Sequence, residues 1–320
     1  MSEIATVILP FFGLIACGFA ATRVLRLSGQ GVSGLNLFVY YFAMPAWFFH
    51  HVAATPFRAL EHWSFLVATA FSTYCAFALA FSLGALLNRG NVPEATIEGL
   101  AGSYANIGYL APALTVAALG PGAGAATALV FALDHALLFV IVPLMMALGA
   151  VEPADRSSMG RDMVRRVLLH PFILAAAAGL VFSLVGLGLP GPLDGAVTLL
   201  ADAAAPAALF AVGASIAQKQ VGRVTLEMPG LLLVKLIVHP LIVYLLLTWI
   251  GGYDSVWVYA AVLMAALPPA ANVLAIAQKY DSYRDHAVTI IVLGTAASVV
   301  TVTLVLAMIL GGDLPADPYR

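Results

Sequence analysis

An asparagine stands inside a stretch of the chain that is apolar but poorly suited to an unbroken helix. Residues 102–112 read GSYANIGYLAP, with Asn106 near the centre. Gly102 and Gly108 weaken a helix, and Pro112 removes a backbone donor and clashes with the carbonyl group four residues earlier. The stretch therefore predicts an interrupted helix that leaves backbone groups and an amide side chain open for binding.

A second stretch of the same kind lies far downstream. Residues 267–272 read LPPAAN, and the two adjacent prolines cannot continue a helix because neither supplies a backbone N–H. Two interrupted apolar segments in corresponding positions of two halves are the best sequence indication of a transporter's binding site. The candidate substrate-binding residues are Ser103, Asn106, Gly108, Tyr109, Pro112, Pro268, Pro269 and Asn272.

Interrupted helices offer groups that bind a small anion. The N-terminal end of each half-helix exposes N–H donors and carries partial positive charge, whereas the carbonyl ends suit a cation or a proton-bearing group. Asn106 and Asn272 could each donate to a carboxylate and accept from the opened backbone. The alternative is that both asparagines only satisfy the kinks.

Two ionisable residues, Asp134 and His135, lie in the middle of an apolar run. A carboxylate at that depth is expensive and usually faces a cavity or a partner. Asp134 is therefore a candidate for a proton or cation site, and the alternative is a structural hydrogen-bond network. For His135 alone we expect a structural role.

Three further ionisable side chains, Asp202, Lys235 and His239, lie within apolar runs. Asp202 could form a buried pair with Lys235, which would lessen the cost of each charge. Lys235 and His239 are four residues apart and share a helical face. Alternatively, Lys235 snorkels toward the cytoplasmic end, and His239 only marks a kink before Pro240. Together with Asp134, these three residues are the candidates for proton or cation coupling.

The composition of the chain indicates an integral membrane protein. Hydrophobic residues make up 62% and charged residues 9% of the chain, whereas soluble domains carry about 25% charged residues. The apolar runs have the length of about 20 residues that a helical span requires, and alternating strand patterns are absent. The sequence contains no metal-site or enzyme motif and no basic cluster for nucleic acid, so we expect no cofactor, no nucleic-acid partner and no enzyme.

The apolar runs predict ten membrane-spanning helices arranged as two repeats of five. They lie near residues 4–21, 35–53, 65–87, 97–119, 123–148, 167–187, 193–217, 230–250, 257–277 and 287–310. Pro10 and Pro45 are 35 residues apart, as are Pro171 and Pro206. Because five is an odd number, the second repeat must insert in the inverted orientation. The expected domains are a first repeat at 1–148, a cytoplasmic connecting loop at 149–166 and a second repeat at 167–320.

The basic residues of the connections set the expected orientation. Those after odd-numbered spans are Arg23, Arg26, Arg89, Arg156, Arg161, Arg165, Arg166, Lys219, Arg223, Lys279 and Arg284. The other connections and the termini hold only Arg58 and Arg320. Since cytoplasmic loops carry the excess of Lys and Arg, both termini are expected to face outside.

Ten spans with outside termini and two interrupted stretches resemble the auxin efflux carrier family. The motifs that carry the resemblance are Ser103-x-x-Asn106-x-Gly108-Tyr109-x-x-Pro112 and Pro268-Pro269-Ala270-Ala271-Asn272, and the resemblance covers nearly the whole chain. Bacterial members include malonate and malate permeases. The long hydrophilic central loop of plant members is missing from this chain.

The resemblance implies the fold of bile-acid/sodium symporters, in which the fourth and ninth helices unwind and cross near the midplane. One domain is then a scaffold and the other carries substrate. The scaffold would hold the first, second, sixth and seventh spans, with hinges shaped by Pro45 and Pro206. Relatives dimerise through the scaffold, and a bacterial member belongs in the inner membrane.

The expected function is secondary transport of small organic anions by alternating access across the lipid bilayer. By resemblance, the substrates are carboxylates such as malonate, malate or an auxin-like acid, bound at the helix crossover by Asn106 and Asn272. Export of an anion from a negative interior needs no coupled ion, whereas uptake needs protons or sodium.

Two alternatives to this expectation remain open. A sodium-coupled symporter of the bile-acid type would need several acidic and amide ligands near the crossover, where the chain offers only Asn106, Asn272 and Asp134. A membrane sensor would bind the ligand without moving it. Counterflow of labelled substrate separates a carrier from a sensor.

Overall fold

The chain folds into helices, and the computed structural model describes residues 2–60, 62–149, 165 and 168–316. The helices are α1 (Ser2–Val24), α2 (Gly29–Phe38), α3 (Met44–Ala53), α4 (Trp63–Leu87), α5 (Val92–Ser103), α6 (Ala111–Leu119), α7 (Ala123–Gly149), α8 (Pro171–Val185), α9 (Gly191–Ala217), α10 (Met228–Leu233), α11 (His239–Ile250), α12 (Ser255–Ala266), α13 (Asn272–Lys279) and α14 (Arg284–Gly311). In these residues no strand forms beyond one isolated bridge. The loop predicted at 149–166 lies, except for Gly149 and Arg165, outside the described residues.

Within the described residues, seven helical segments are long and apolar enough to cross a membrane. They are Ile4–Val24, Gly29–Ala53, Trp63–Leu87, Ala123–Gly149, Gly191–Ala217, Met228–Ile250 and Arg284–Gly311. Each coincides with a span predicted from the sequence. Of the three other predicted spans, one corresponds to the shorter helix α8 and two are interrupted. The prediction of an all-helical protein with several membrane spans is confirmed.

Two of these segments contain a wide π-helical turn just before a proline. One turn, Val39–Ala43, joins α2 to α3, and the other, Val234–Val238, joins α10 to α11. Pro45 and Pro240 follow at the second position of the next helix. A proline clashes with the carbonyl group four residues earlier, and widening the preceding turn relieves that clash. The prolines thus explain why neither segment is a regular helix.

The helices fall into two units. The first unit is Met1–Trp63, Ile107–Ala132 and His170–Lys219. In it α1 packs along α9, and α3 packs along α8. A side chain at Gly18 would overlap the backbone of Phe210, and one at Gly213 would overlap the backbone of Ile15. Glycine at these positions therefore lets the backbones of α1 and α9 approach closely, as at other membrane-helix interfaces.

The second unit is Ser64–Asn106, Leu133–Leu169 and Gln220–Arg320. Its core combines side chains from α4, α5, α7, α10, α13 and α14. Representative members are Phe77, Leu100, Met146, Leu231, Val273 and Ile290. The core surrounds the last turns of α5 and thereby holds the first interruption in place.

Candidate functional site

The two interruptions predicted from the sequence are present, and their backbones are bonded to each other. Helix α5 ends at Ser103 and α12 ends at Ala266, in both cases followed by a residue with extended backbone angles. The Asn106 amide donates to the Pro268 carbonyl at 2.8 Å, and the Ala270 amide donates to the Tyr104 carbonyl at 3.1 Å. These two bonds form a short antiparallel bridge, which we call the paired breaks (residues 104–106 and 268–270).

The paired breaks bring the ends of three helices together inside the second unit. The Val273 and Leu274 amides of α13 donate to the Ala270 and Ala271 carbonyls, and the Ala265 carbonyl of α12 accepts from Lys235. Pro268 and Pro269 are buried and supply no amide, so the chain cannot close the gap with a continuous helix. The dipoles of α5, α12 and α13 therefore end close to one another at the paired breaks.

The two asparagines differ in their surroundings. Asn106 is buried, with 8% of its surface exposed. Asn272 is exposed and is the first residue of α13, where the amide donors of the helix are also found. The next amides of α13, at Val273 and Leu274, already donate to the Ala270 and Ala271 carbonyls, so the exposed side-chain amide of Asn272 is the donor that a carboxylate could reach. The buried Asn106 is instead anchored through its backbone to the second break.

A small cavity lies beside the end of α5. Its volume is about 20 Å³, which is room for about one water molecule. It is lined by Thr73, Tyr74, Phe77, Leu100, Ser103, Tyr104, Asp134 and Ile141. Asp134 is 8% exposed, and among the described residues its Oδ1 atom has no hydrogen-bond partner. The surface of the cavity is apolar, so the buried carboxylate oxygen is a place for a proton rather than for a water or a metal cation.

A line of polar contacts continues from the other oxygen of Asp134. Thr73 Oγ1 donates to Asp134 Oδ2 at 3.2 Å and lies 3.4 Å from His239 Nε2. His239 Nδ1 lies 3.3 Å from Lys235 Nζ, which donates to the Ala265 carbonyl at 2.5 Å. We call these four side chains the Asp134 relay: Asp134, Thr73, His239 and Lys235. The relay extends from the cavity beside the first break to the last turn of α12, directly before the second break.

The π-helical turn Val234–Val238 carries Lys235, and His239 follows it. Lys235 is fully buried and His239 is 2% exposed. The interpretation of Lys235 as a snorkelling residue is therefore wrong, and His239 does more than mark a kink. The expected proximity of Lys235 and His239 is confirmed by their 3.3 Å contact.

The predicted buried pair of Asp202 with Lys235 is wrong. Asp202 is exposed on α9. The apolar run around Asp202 gave no indication of which face of the helix it occupies. His135, for which a structural role was expected, contacts the Tyr104 hydroxyl through its Nδ1 atom at 2.6 Å.

The candidate residues from the sequence divide between the two units. The second unit contains Ser103, Asn106, Asp134, Lys235, His239, Pro268, Pro269 and Asn272. The first unit contains Gly108, Tyr109, Pro112 and Asp202. Within the first unit, Gly108 packs against the rings of Phe131 and Phe172, while Pro112 is buried in the first turn of α6.

Sequence reasoning missed Thr73 and a second buried polar cluster. Glu98 is fully buried on α5 and accepts from Asn88 Nδ2 at 2.7 Å. Glu227 accepts from Thr225 and, at 2.9 Å, from the Tyr283 hydroxyl. Burial and the adjacent Glu227 carboxylate raise the pKa of Tyr283 above its ordinary value. Glutamates close to the ends of apolar runs look like solvated residues in a sequence, so nothing in the pattern marked them.

Comparison with known proteins adds two findings. The family described as "Membrane transport protein" matches residues 3–306. A protein of Rhizobium meliloti (strain 1021) named "Putative malonate transporter" is 40% identical over 319 residues, covering 100% of both chains. The resemblance seen in the sequence motifs is thereby confirmed. The chain belongs to the auxin efflux carrier family of membrane transport proteins.

Proposed function

We propose that the chain is a secondary transporter of small organic anions, with a carboxylate such as malonate, malate or an auxin-like acid as substrate. The observation that carries the proposal is the paired breaks, which hold two half-helix carbonyl ends, the N-terminal end of α13 and two asparagines together in one unit. The name of the 40% identical relative supports malonate as the first compound to test.

The proposed carboxylate contact is the side chain of Asn272, at the positive end of the α13 dipole. This side chain is exposed, so a ligand can reach it without opening the core. The helix runs eight residues from Asn272 to Lys279, which is two turns of aligned peptide dipoles with the positive end at Asn272. Asn106 contributes from the other break, where its backbone amide fixes its position against Pro268.

The finer architecture is part of the same proposal. We propose ten spans in two inverted repeats, at 1–148 and 167–320, with the connecting loop and the basic residues in the cytoplasm and both termini outside, in a bacterial inner membrane. The first unit holds the helices of the first, second, sixth and seventh expected spans, which supports a scaffold role for that unit. Transport would follow alternating access, with Pro45 and Pro206 shaping the scaffold.

Coupling to an ion is proposed for the Asp134 relay rather than for Asp202. The relay buries one carboxylate and one ammonium group in the second unit, and buried ionisable groups in a membrane protein are by default functional. Asp202 is exposed on α9 and is given no coupling role.

A binding measurement tests the substrate proposal. Purified protein in detergent would be heated with malonate, malate, succinate or indole-3-acetate, since a ligand of the native state raises its apparent stability. We expect one acid to raise the midpoint and Asn272→Ala to weaken binding about tenfold or more, because a hydrogen bond to a charged group contributes about 1.5–3 kcal/mol.

The matched control is Asn36→Ala, a half-buried asparagine of the first unit that bonds Ser215 at 3.2 Å. It should lower the unliganded midpoint yet keep the ligand-induced rise. A rise that survives both Asn106→Ala and Asn272→Ala would refute the paired breaks as the binding site. A rise without any counterflow of labelled acid would favour the sensor over the carrier.

A further inference from the structure

We infer that the Asp134 relay binds one proton and couples it to substrate movement, so that the chain is a proton–carboxylate symporter. The inference rests on the proposed function, because it names the ion that accompanies the anion. The ion is a proton, a carboxylate oxygen of Asp134 receives it, and Thr73 and His239 connect Asp134 to Lys235.

The receiving atom is Asp134 Oδ1. In the part of the chain that the structure describes, this buried oxygen accepts no hydrogen bond, while the neighbouring Oδ2 accepts from Thr73. A buried polar atom without a partner is costly, and a proton on it removes that cost by removing the charge. The adjoining cavity of about 20 Å³ has an apolar surface, so it offers Asp134 Oδ1 no alternative hydrogen-bond partner.

The hydrogen bonds of the relay have a single consistent direction. A charged Lys235 can only donate, so His239 Nδ1 accepts from it and the ring hydrogen resides on Nε2. That hydrogen points to Thr73 Oγ1, which lies 3.4 Å from His239 Nε2. The hydroxyl hydrogen of Thr73 is then left to donate to Asp134 Oδ2, with 3.2 Å between the two oxygens. The Thr69 carbonyl, at 3.3 Å, is the competing acceptor for Thr73, but the carboxylate is the stronger one.

Proton transfer along the relay conserves both the number of hydrogens and the net charge. If each hydrogen moves one bond along, Lys235 becomes a neutral amine, His239 and Thr73 each lose one hydrogen and gain one, and Asp134 becomes a neutral acid. The net charge stays zero in both forms. A further proton on Asp134 Oδ1, with Lys235 still an ammonium, makes the relay +1.

The change from zero to +1 is what couples the ion to an anion. A carboxylate at the paired breaks is attracted more strongly when the relay carries the proton, and by linkage the anion strengthens proton binding equally. Lys235 donates to the Ala265 carbonyl in the last turn before the second break, so the charge change is felt where the substrate is proposed to bind.

The same geometry disfavours sodium. The cavity has the size of one water, and two of its polar groups are already engaged, with Ser103 donating to the Gly99 carbonyl at 2.7 Å and Tyr104 contacting His135 at 2.6 Å. A proton needs only one oxygen and no ligand shell.

Gradient-driven uptake tests the inference in proteoliposomes. With malonate as the probe, an acidic exterior should raise accumulation about tenfold per pH unit for one coupled proton, since one unit corresponds to about 1.36 kcal/mol. Asp134→Asn should lose this response. Asp194→Asn, an exposed carboxylate in the first turn of α9, is the matched control and should behave as wild type.

The threonine separates a relay from simple burial of Asp134. Thr73→Val keeps the shape of the side chain but removes the hydroxyl group. It should reduce the rise in malonate accumulation per unit of exterior pH by about tenfold, whereas Thr73→Ser should restore that rise. Thr303→Val, which removes a hydroxyl that bonds only its own helix backbone among the recorded contacts of the described residues, should have no effect. An equal loss in Thr73→Val and Thr73→Ser would remove the relay from the proposal.

A transport-independent readout keeps the two proposals apart. Infrared difference spectra of the purified protein between acid and alkaline pH should contain a carboxylic C=O band that disappears in Asp134→Asn and persists in Asp194→Asn. If wild type shows no counterflow but the band is present, the substrate proposal fails and proton binding stands. Accumulation that follows a sodium gradient, a full pH response in Asp134→Asn, or the absence of an Asp134 band would overturn the proton inference.

Discussion

The two units of the molecule bury very different side chains. Among the described residues, the first unit buries a single ionisable side chain, His170, and its helices approach through glycine and aromatic contacts. The second unit buries Glu98, Asp134, His135, Glu227, Lys235 and His239. Burying charge inside a membrane protein is expensive and is retained where it serves transport or binding. The comparison shows that the first unit is held mainly by apolar packing, whereas the second unit also buries polar and ionisable groups.

Substitution of Lys235 should have the largest effect on stability. Lys235→Met removes a buried ammonium group that donates to the Ala265 carbonyl, a hydrogen bond of a charged group that contributes about 1.5–3 kcal/mol, and it leaves the Asp134 carboxylate without the nearby positive charge. The free energy of unfolding, measured by denaturant titration in detergent, should fall by that amount.

The double variant Lys235→Met/Asp134→Asn is the control for this prediction. It removes both charges and should recover part of the loss, because the uncompensated carboxylate is gone. A double variant that is as unstable as the sum of the two single variants would show that the two groups do not interact and would break the contrast between the units.

Overpacking of the first unit should have an intermediate effect. Gly18→Ala places a methyl group against the Phe210 backbone, and such overpacking costs about 1–3 kcal/mol. Gly13→Ala on the same helix is the control, because its added carbon meets nothing within 4 Å, and it should be neutral or slightly stabilising. Thermal unfolding compares the two, and malonate binding by the Gly18 variant should stay unchanged.

The sequence predicted the features that depend on chain-breaking residues and on apolar length. Pro112, Pro268 and Pro269 fix where helices cannot continue, so both interruptions were foreseen and are present. The seven long apolar helices follow from hydropathy alone. By contrast, the hydrogen bonds that pair the two breaks join residues about 160 positions apart, and no local pattern encodes them.

The relay shows why side-chain placement was harder to foresee. Lys235 and His239 could be paired because four residues separate them on one helix, but Thr73 comes from α4 and looks like any hydroxyl in an apolar run. Asp202 was misassigned because the orientation of α9 is set by its packing on α1, where Gly213 faces Ile15. Tertiary packing, rather than composition, decides which polar residues meet.

The smallest effect is expected at the second buried polar cluster. Tyr283→Phe removes the hydrogen bond to Glu227 and should cost about 1 kcal/mol. The pKa of Tyr283 is raised in the folded state, so its stabilising contribution is complete below the unfolded value of about 10 and is lost as pH rises beyond it. Wild type should therefore lose more unfolding free energy than Tyr283→Phe between pH 9 and 11. Equal alkaline slopes would contradict the assigned environment.

Counterflow of labelled malonate into proteoliposomes tests the central claim most directly. Wild type and Asn36→Ala, the asparagine variant of the first unit, should both exchange external label for internal unlabelled malonate. Asn272→Ala, the asparagine variant of the second unit, should exchange label at about one tenth of the wild-type rate or below, because it loses a hydrogen bond to the charged ligand. Exchange that is equally fast in Asn272→Ala and Asn106→Ala as in wild type, or no exchange by any protein, would contradict substrate binding at the paired breaks.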